Sequence, residues 1–185
     1  MSMNWLLVLL STLSVGQAHN EIGADLLANY QQGLWFVKFY APWCGYCKQL
    51  APIWDSLEKE LFDTGINVVR VDATAYPDVA SEFDVTGYPT IVFIKEGAVN
   101  KYSGPRTLED LKLFARRLRG PSVKTLGSLG EWNRARRENS PMYVWVGDAA
   151  PPEDFLTVAE KLQSKTEFFT SLYKVLPSDI KVKGM

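Results

Sequence analysis

Histidine and cysteine are nearly absent from this chain. His19 is the single histidine in 185 residues, and Cys44 and Cys47 are the only cysteines. Tetrahedral zinc takes four ligands, so no metal site is expected from that supply. Attachment of a haem fails as well, because Lys48 rather than histidine follows Cys47. Positive charge is not in excess: 20 Lys and Arg stand against 21 Asp and Glu, for a formal net charge of -1 and a pI near 5.9. A nucleic-acid partner, which calls for a basic footprint on the phosphates, is therefore not expected. Past the first residues no apolar stretch approaches the roughly 20 residues of a membrane span, so no span is expected. The last residues, Val182 to Met185, form no retention signal of the Lys-Asp-Glu-Leu kind. No Asn-x-Ser/Thr acceptor occurs, since Asn139 is followed by Ser140 and Pro141.

What is present is an ordinary soluble composition, 46% apolar and 22% charged, with room for one full domain and part of another. Trp5 to Leu10 is a continuous apolar run that fades through Ser11, Thr12 and Ser14 into Gly16, Gln17 and Ala18. Its length and the small residues at 16 and 18 predict a secretory signal peptide over residues 1–18, cut after Ala18. No Lys or Arg precedes the run, and an uncleaved buried helix is the other reading.

Further along, Ile22, Leu26, Leu27 and Tyr30 recur at helical spacing from Glu21 onward, and Gly33 ends that element. Leu34 to Tyr40 is a dense apolar run that suits a strand buried on both faces, with Lys38 as its one charge. Leu50, Trp54, Leu57 and Leu61 predict an amphipathic helix from about Gly45 to Phe62, kinked at Pro52. Strands are predicted at 66–71, 91–95 and 98–103, and helices at 77–83 and 107–118. The order calls for a mixed sheet covered by helices, an α/β fold. Gly120 and Pro121 punctuate its end. Beyond them a helix at 129–138, a strand at 142–146, a helix at 153–162 and a strand at 166–172 read as the opening half of another unit of the same kind. Residues 121–185 are accordingly expected to be a partial domain with unpaired edges.

The chemistry is concentrated in Cys44-Gly45-Tyr46-Cys47, between the buried strand and the amphipathic helix. At a helix N-terminus the free N–H groups and the macrodipole favour a thiolate, which makes Cys44 the candidate nucleophile. Cys47 lies one turn on along the same face, with α-carbons about 5 Å apart, within reach of a disulfide, and is the candidate resolving thiol. A purely stabilising staple is the competing reading. A loop this short removes only about 2 kcal/mol from the unfolded state, against roughly 3 for a loop of 15 residues, so two cysteines used for stability belong farther apart.

The run Phe39-Tyr40-Ala41-Pro42-Trp43-Cys44-Gly45-Tyr46-Cys47-Lys48, followed by Val71-Asp72-Ala73-Thr74 and Gly87-Tyr88-Pro89-Thr90, resembles a catalytic domain of the protein disulfide isomerases, within the thioredoxin superfamily. The likeness covers residues 20–120 and implies a thioredoxin-like domain over 19–120, followed by a partial one. It implies a cis bond before Pro89, where an ordinary turn would have trans, and a backbone at Thr86, Gly87 and Tyr88 that pairs with an extended substrate. It makes Trp43 an aromatic lip beside Cys44, where burial in the core is the alternative. Arg106 would be the arginine that approaches the resolving cysteine, or else a lone surface side chain.

Two positions depart from the family pattern. Tyr46 stands where histidine is usual and offers only a hydroxyl donor at neutral pH, which implies a less acidic Cys44 and a less oxidising disulfide. Lys38 stands where a buried Glu or Asp usually takes the proton of the resolving cysteine. Charged, it would favour the Cys47 thiolate; neutral, it could take the proton itself; or its stem could snorkel to the sheet edge. The resemblance implies a thiol–disulfide oxidoreductase that needs no cofactor and acts on client polypeptides bearing thiols or disulfides. Glutathione or an oxidase would be its redox partner. The setting would be the endoplasmic reticulum lumen, or the exterior if nothing retains the chain. A redox-inert, client-binding or regulatory truncated isoform is the competing reading.

Overall fold

The computed structural model describes residues 20–139 and 141–180; the segment 1–18 predicted to be a signal peptide, His19, Ser140 and residues 181–185 lie outside them. Its first sheet is organised around β1 (Leu34–Tyr40), whose Phe36 to Phe39 are all buried. β1 pairs in parallel with β2 (Ile66–Asp72) and antiparallel with β3 (Thr90–Lys95), which pairs antiparallel with β4 (Ala98–Lys101). The order β2-β1-β3-β4 is a mixed sheet, and helices cover both faces.

On one face lie α2 (Gly45–Leu61) and α4 (Leu108–Arg119). Leu50, Trp54 and Leu57 from α2 and Leu111, Phe114 and Leu118 from α4 close over Phe36 and Phe93. Phe36 sits at the centre of that layer, its ring 5.2 Å from Trp54, 5.5 Å from Phe93 and 6.0 Å from Phe114. On the other face, α1 (Asp25–Asn29) and α3 (Pro77–Glu82) bring Leu26, Val79 and Ala80 onto Val37, Phe39, Val71 and Val92. The β3–β4 turn uses Glu96 and Gly97 at φ 47° and 80°, left-handed values that glycine adopts without strain.

Several boundaries differ from those predicted. The first helix does not start at Glu21; the amide of Ile22 donates to the Arg70 carbonyl and that of Arg70 to the Asn20 carbonyl, so the edge of β2 holds this segment extended. α2 ends at Leu61, one residue before the predicted Phe62, and carries the exposed Pro52 inside it. β4 ends at Lys101, two residues early, ahead of the Ser103-Gly104-Pro105 stretch.

A second, three-stranded sheet contains β5 (Val123–Leu126), β6 (Met142–Val146) and β7 (Glu167–Ser171) in the order β5-β7-β6, all parallel. α5 (Leu129–Glu138) and α6 (Glu153–Leu162) connect them. The sequence gives no sign of β5, because four residues between Pro121 and Gly127 are too few to display a period. The two sheets are linked by side chains. Gln163, at the end of α6, donates from Nε2 to the carbonyls of Arg117 at 2.6 Å and Gly120 at 3.0 Å. Lys95 donates to the same Gly120 carbonyl at 2.7 Å. Among the described residues no helix is long and apolar enough to cross a membrane.

Removing the Phe36 ring leaves a cavity bounded by three other aromatic rings, so Phe36→Ala is expected to cost about 3–5 kcal/mol, read from the shift in the urea midpoint at constant m-value. Gln163→Ala removes two part-buried hydrogen bonds, to the carbonyls of Arg117 and Gly120, the latter still bonded by Lys95, and is expected to cost about 1 kcal/mol in the same titration.

Candidate active site

α2 begins directly after β1, and the loop between them sets Cys44 at the N-cap with an extended backbone, φ -73° and ψ 116°. The Cys44 sulfur accepts the Cys47 backbone N–H at 3.2 Å, filling the place that a serine or aspartate oxygen usually takes at a helix start. Its thiol donates in turn to the Tyr88 carbonyl at 3.6 Å. Both cysteines are free thiols. They pack against Ala41, Tyr40 and Tyr88.

Cys44 is less open than a nucleophile read from sequence suggests: the residue is only 7% exposed, and Cys47 4%. Its neighbours, by contrast, stand out in solvent, Trp43 at 72% and Tyr46 at 68%. Trp43 is no core residue, and it meets the edge of the Tyr88 ring at 5.9 Å between centroids. No atom lies within 4 Å of where a side chain would start at Gly45 or at Gly87, so the ground on both sides of the sulfur is open.

The two thiols are driven apart in acidity. Burial alone would raise the Cys44 thiol, but hydrogen bonds from the Cys47 thiol, the Cys47 and Tyr46 backbone N–H groups and the Arg106 guanidinium field outweigh it, and its pKa is lowered. Burial, reinforced by the hydrogen bond to Cys44, pushes Cys47 up to about 11. The contribution of Tyr46 comes through its backbone N–H, and the residue itself stands out in solvent. Arg106 also differs from expectation. Its Nη2 donates to the Pro89 carbonyl at 3.4 Å, and its charge lowers the pKa of Cys44, the candidate nucleophile.

The Tyr88–Pro89 peptide bond is cis. Pro89 is buried, Thr86 and Gly87 are exposed and Tyr88 is half-buried. Among the described residues, the backbone N–H groups of Thr86, Gly87 and Tyr88 have no partner within the chain.

Lys38 does not snorkel to the sheet edge. It is 3% exposed, and its Nζ lies 5.7 Å from the Tyr40 ring centroid and 5.6 Å from that of Trp54. A cavity of about 180 Å³ joins Lys38 to Cys47, with Glu21, Lys48 and Arg70 also in its wall. Burial, helped by the neighbouring Arg70 charge, lowers the Lys38 pKa to about 8; Asp55, Cys47 and Glu58 oppose that shift without cancelling it. Arg70 is a member of this site that sequence reasoning missed. It stands level with Lys38 across the β1–β2 pair and bonds Asp55 at 2.8 Å and Glu58 at 3.1 Å, both on α2. Its signal was a charge inside the apolar run Ile66 to Val71, the same signal that marked Lys38. Among the described residues, no cluster of His, Cys, Asp or Glu suited to a metal ion occurs.

Set beside known proteins, residues 18–117 match the family model described as Thioredoxin. The chain is 37% identical over 172 residues to protein disulfide-isomerase TMX3 of Xenopus laevis and 38% identical over 168 residues to that of Homo sapiens. These alignments cover 91% and 89% of this chain but 38% and 37% of those proteins, so it spans little more than a third of their length. Among solved structures, human ERp44 form II superposes with a TM-score of 0.54 at 20% identity, over 85% of this chain and 46% of that one, a likeness of fold. The J-Trx1 fragment of ERdj5 gives 0.50 at 28% identity, over 54% of this chain and 49% of that one. With a matched segment that holds the whole first sheet and both thiols, the chain belongs to the thioredoxin family.

Proposed function

We propose that this chain is a thiol–disulfide oxidoreductase of the protein disulfide isomerase type, with residues 19–120 as its catalytic unit. The observation that carries this reading is the acid thiol of Cys44 capping α2, held against a second thiol that is not acid. Cys44 as thiolate attacks one sulfur of a client disulfide. A Cys44–client disulfide forms and the other client sulfur leaves as thiolate. Cys47 must then lose its proton before its sulfur can attack the Cys44 sulfur, close the Cys44–Cys47 disulfide and release the second client thiolate. Run backwards, the same exchanges oxidise a client dithiol, and a redox partner such as glutathione or an oxidase resets the pair.

Lys38 is placed to take the proton that Cys47 must lose. The two residues share one cavity, and a lysine brought to about 8 is about one tenth neutral at pH 7, far more than an ordinary lysine. After the transfer its ammonium stands beside the new thiolate, a favourable pair, since Lys38 lowers the Cys47 pKa. The unpaired N–H groups at 86–88, next to open ground at Gly87, offer a client segment strand-like hydrogen bonds beside the reacting sulfur. A setting in the endoplasmic reticulum lumen follows from the leader at residues 1–18 together with this chemistry.

Insulin reduction and reactivation of scrambled ribonuclease are the direct tests: Cys44→Ser is expected to abolish both. Equal rates for the variant and the parent chain would leave only a binding role. In alkylation with iodoacetamide, Cys44 is expected to react first, with a pH midpoint below that of a free peptide thiol, while Cys47 stays protected until pH approaches 11. Release of a pre-formed Cys44 mixed disulfide is expected to quicken as pH rises through about 8, where Lys38 loses its proton. Lys38→Met should remove that inflection and slow release at least tenfold at neutral pH; an unchanged profile would rule Lys38 out as the acceptor.

A further inference from the structure

Away from the two thiols, a cleft of about 450 Å³ opens where the end of α2, the start of β2, the end of α4 and the start of β5 come together. Its floor is apolar. Leu61 and Ile66 lie there, 8% and 6% exposed, as part of the core layer under α2 and α4. Gly120 adjoins them, with the Lys124 stem 3.6 Å from where a side chain would start. The Gly120 carbonyl is bonded by Lys95 and Gln163, so the bonds that join the two sheets also fix this corner of the cleft.

The charge around that floor is of one sign. Lys112, Arg116 and Arg119 from α4 and Lys124 from β5 line the cleft, and among the described residues no Asp or Glu does. Cations are favoured at a helix C-terminus by the macrodipole, which accounts for Arg116 and Arg119 but not for Lys112, nearer the start of α4, or for Lys124 on a strand. Two of the four are engaged by acids outside the cleft, Lys112 by Glu60 at 2.5 Å and Lys124 by Glu167 at 2.6 Å. Arg116 is held loosely, 3.7 Å from Glu138, and the exposed Arg119 has no carboxylate partner among the described residues. The two guanidiniums, three positions apart on α4, share one side of the helix and offer forked donors of the kind that grip a carboxylate.

We propose that this cleft binds a small organic anion with a hydrocarbon body, a medium-chain carboxylate whose head meets Arg116 and Arg119 and whose chain lies on Leu61 and Ile66. The aliphatic stems of Lys112 and Lys124 flank the chain and keep their ammonium groups at the rim. The volume suits such a ligand, since small-molecule sites span about 300–1,000 Å³. The floor decides the body. A peptide would lay an N–H and a C=O from every residue against Leu61 and Ile66, which offer neither a partner, whereas a hydrocarbon loses only water.

Isothermal titration calorimetry of the whole chain with sodium decanoate tests the proposal. Decyltrimethylammonium, with a similar chain and the opposite charge, and acetate, with the head and no chain, are the comparisons. One saturable site for decanoate, and none for the other two at the same concentrations, is expected. Arg119→Glu should weaken decanoate binding at least tenfold, with Arg119→Lys between that variant and the parent. Arg137→Glu, the same change of charge at an exposed residue outside the cleft, should leave binding unaltered. The Cys44 alkylation rate, expected to stay at the parental value in all three variants, separates loss of the site from loss of the fold. Four results would each overturn the proposal: no saturation by decanoate at millimolar concentration, equal binding of the ammonium or of acetate, a preference for tetraglutamate over decanoate, or an Arg119→Glu variant that binds as well as Arg137→Glu.

Discussion

The contact on which the rest turns is the one between the Cys44 sulfur and the first N–H groups of α2. A helix start carries four amide protons with no carbonyl to meet them, and here one of them is met by the sulfur of Cys44, the candidate nucleophile. The sulfur is thus held by the same helix start that helps to acidify it, the Cys47 and Tyr46 amides adding to the hydrogen bond from the Cys47 thiol and the field of Arg106. Neither mobility nor exposure is required. At 7% exposure the residue is set into the surface, and its chain neighbours are the open Gly45 and the exposed Trp43 and Tyr46.

Behind that sulfur the protein keeps two cations where an apolar sheet would be expected. Lys38 and Arg70 stand level on neighbouring strands under α2 and are treated differently. Arg70, which cannot give up its proton, is neutralised by Asp55 and Glu58. Lys38, which can, is left to aromatic faces and to burial. The carboxylates bond the guanidinium directly and act on the amine only through their field, which leaves the amine with the adjustable protonation state. Two charges of one sign, placed close together and given unequal compensation, divide into a fixed charge and a titrating one.

Much of this could be read in the sequence, because the elements that matter have strong periods. The strand at Leu34–Tyr40 and the helix face of Leu50, Trp54, Leu57 and Leu61 declare themselves by spacing alone, and together they fix where Cys44 must sit. What escaped has physical reasons. β5 is too short to show a period, and its pairing with β7 depends on residues more than 40 positions away. The extended segment at Glu21 was hidden because its own apolar spacing is helical, and only the free edge of β2 draws it straight. The sulfur's burial was missed because spacing locates a residue along an element but says nothing of what closes over it, here Tyr40 and Tyr88. Arg106 illustrates the same limit: its contact with the Pro89 carbonyl joins positions whose proximity depends on how the whole sheet folds back.

The bare backbone at Gly45 and Gly87 has a bearing on what such a surface can tell apart. A walled pocket measures the shape and charge of one side chain; a slot bordered by glycines and idle amides measures only whether a main chain can lie down in it. Nearly every amino-acid sequence meets that condition when it is extended, and very few meet it once they are wound into helices or locked in the middle of sheets. Discrimination of this sort is by degree of completion rather than by identity. A polypeptide would cease to be recognised by becoming folded, with no other signal needed to dismiss it.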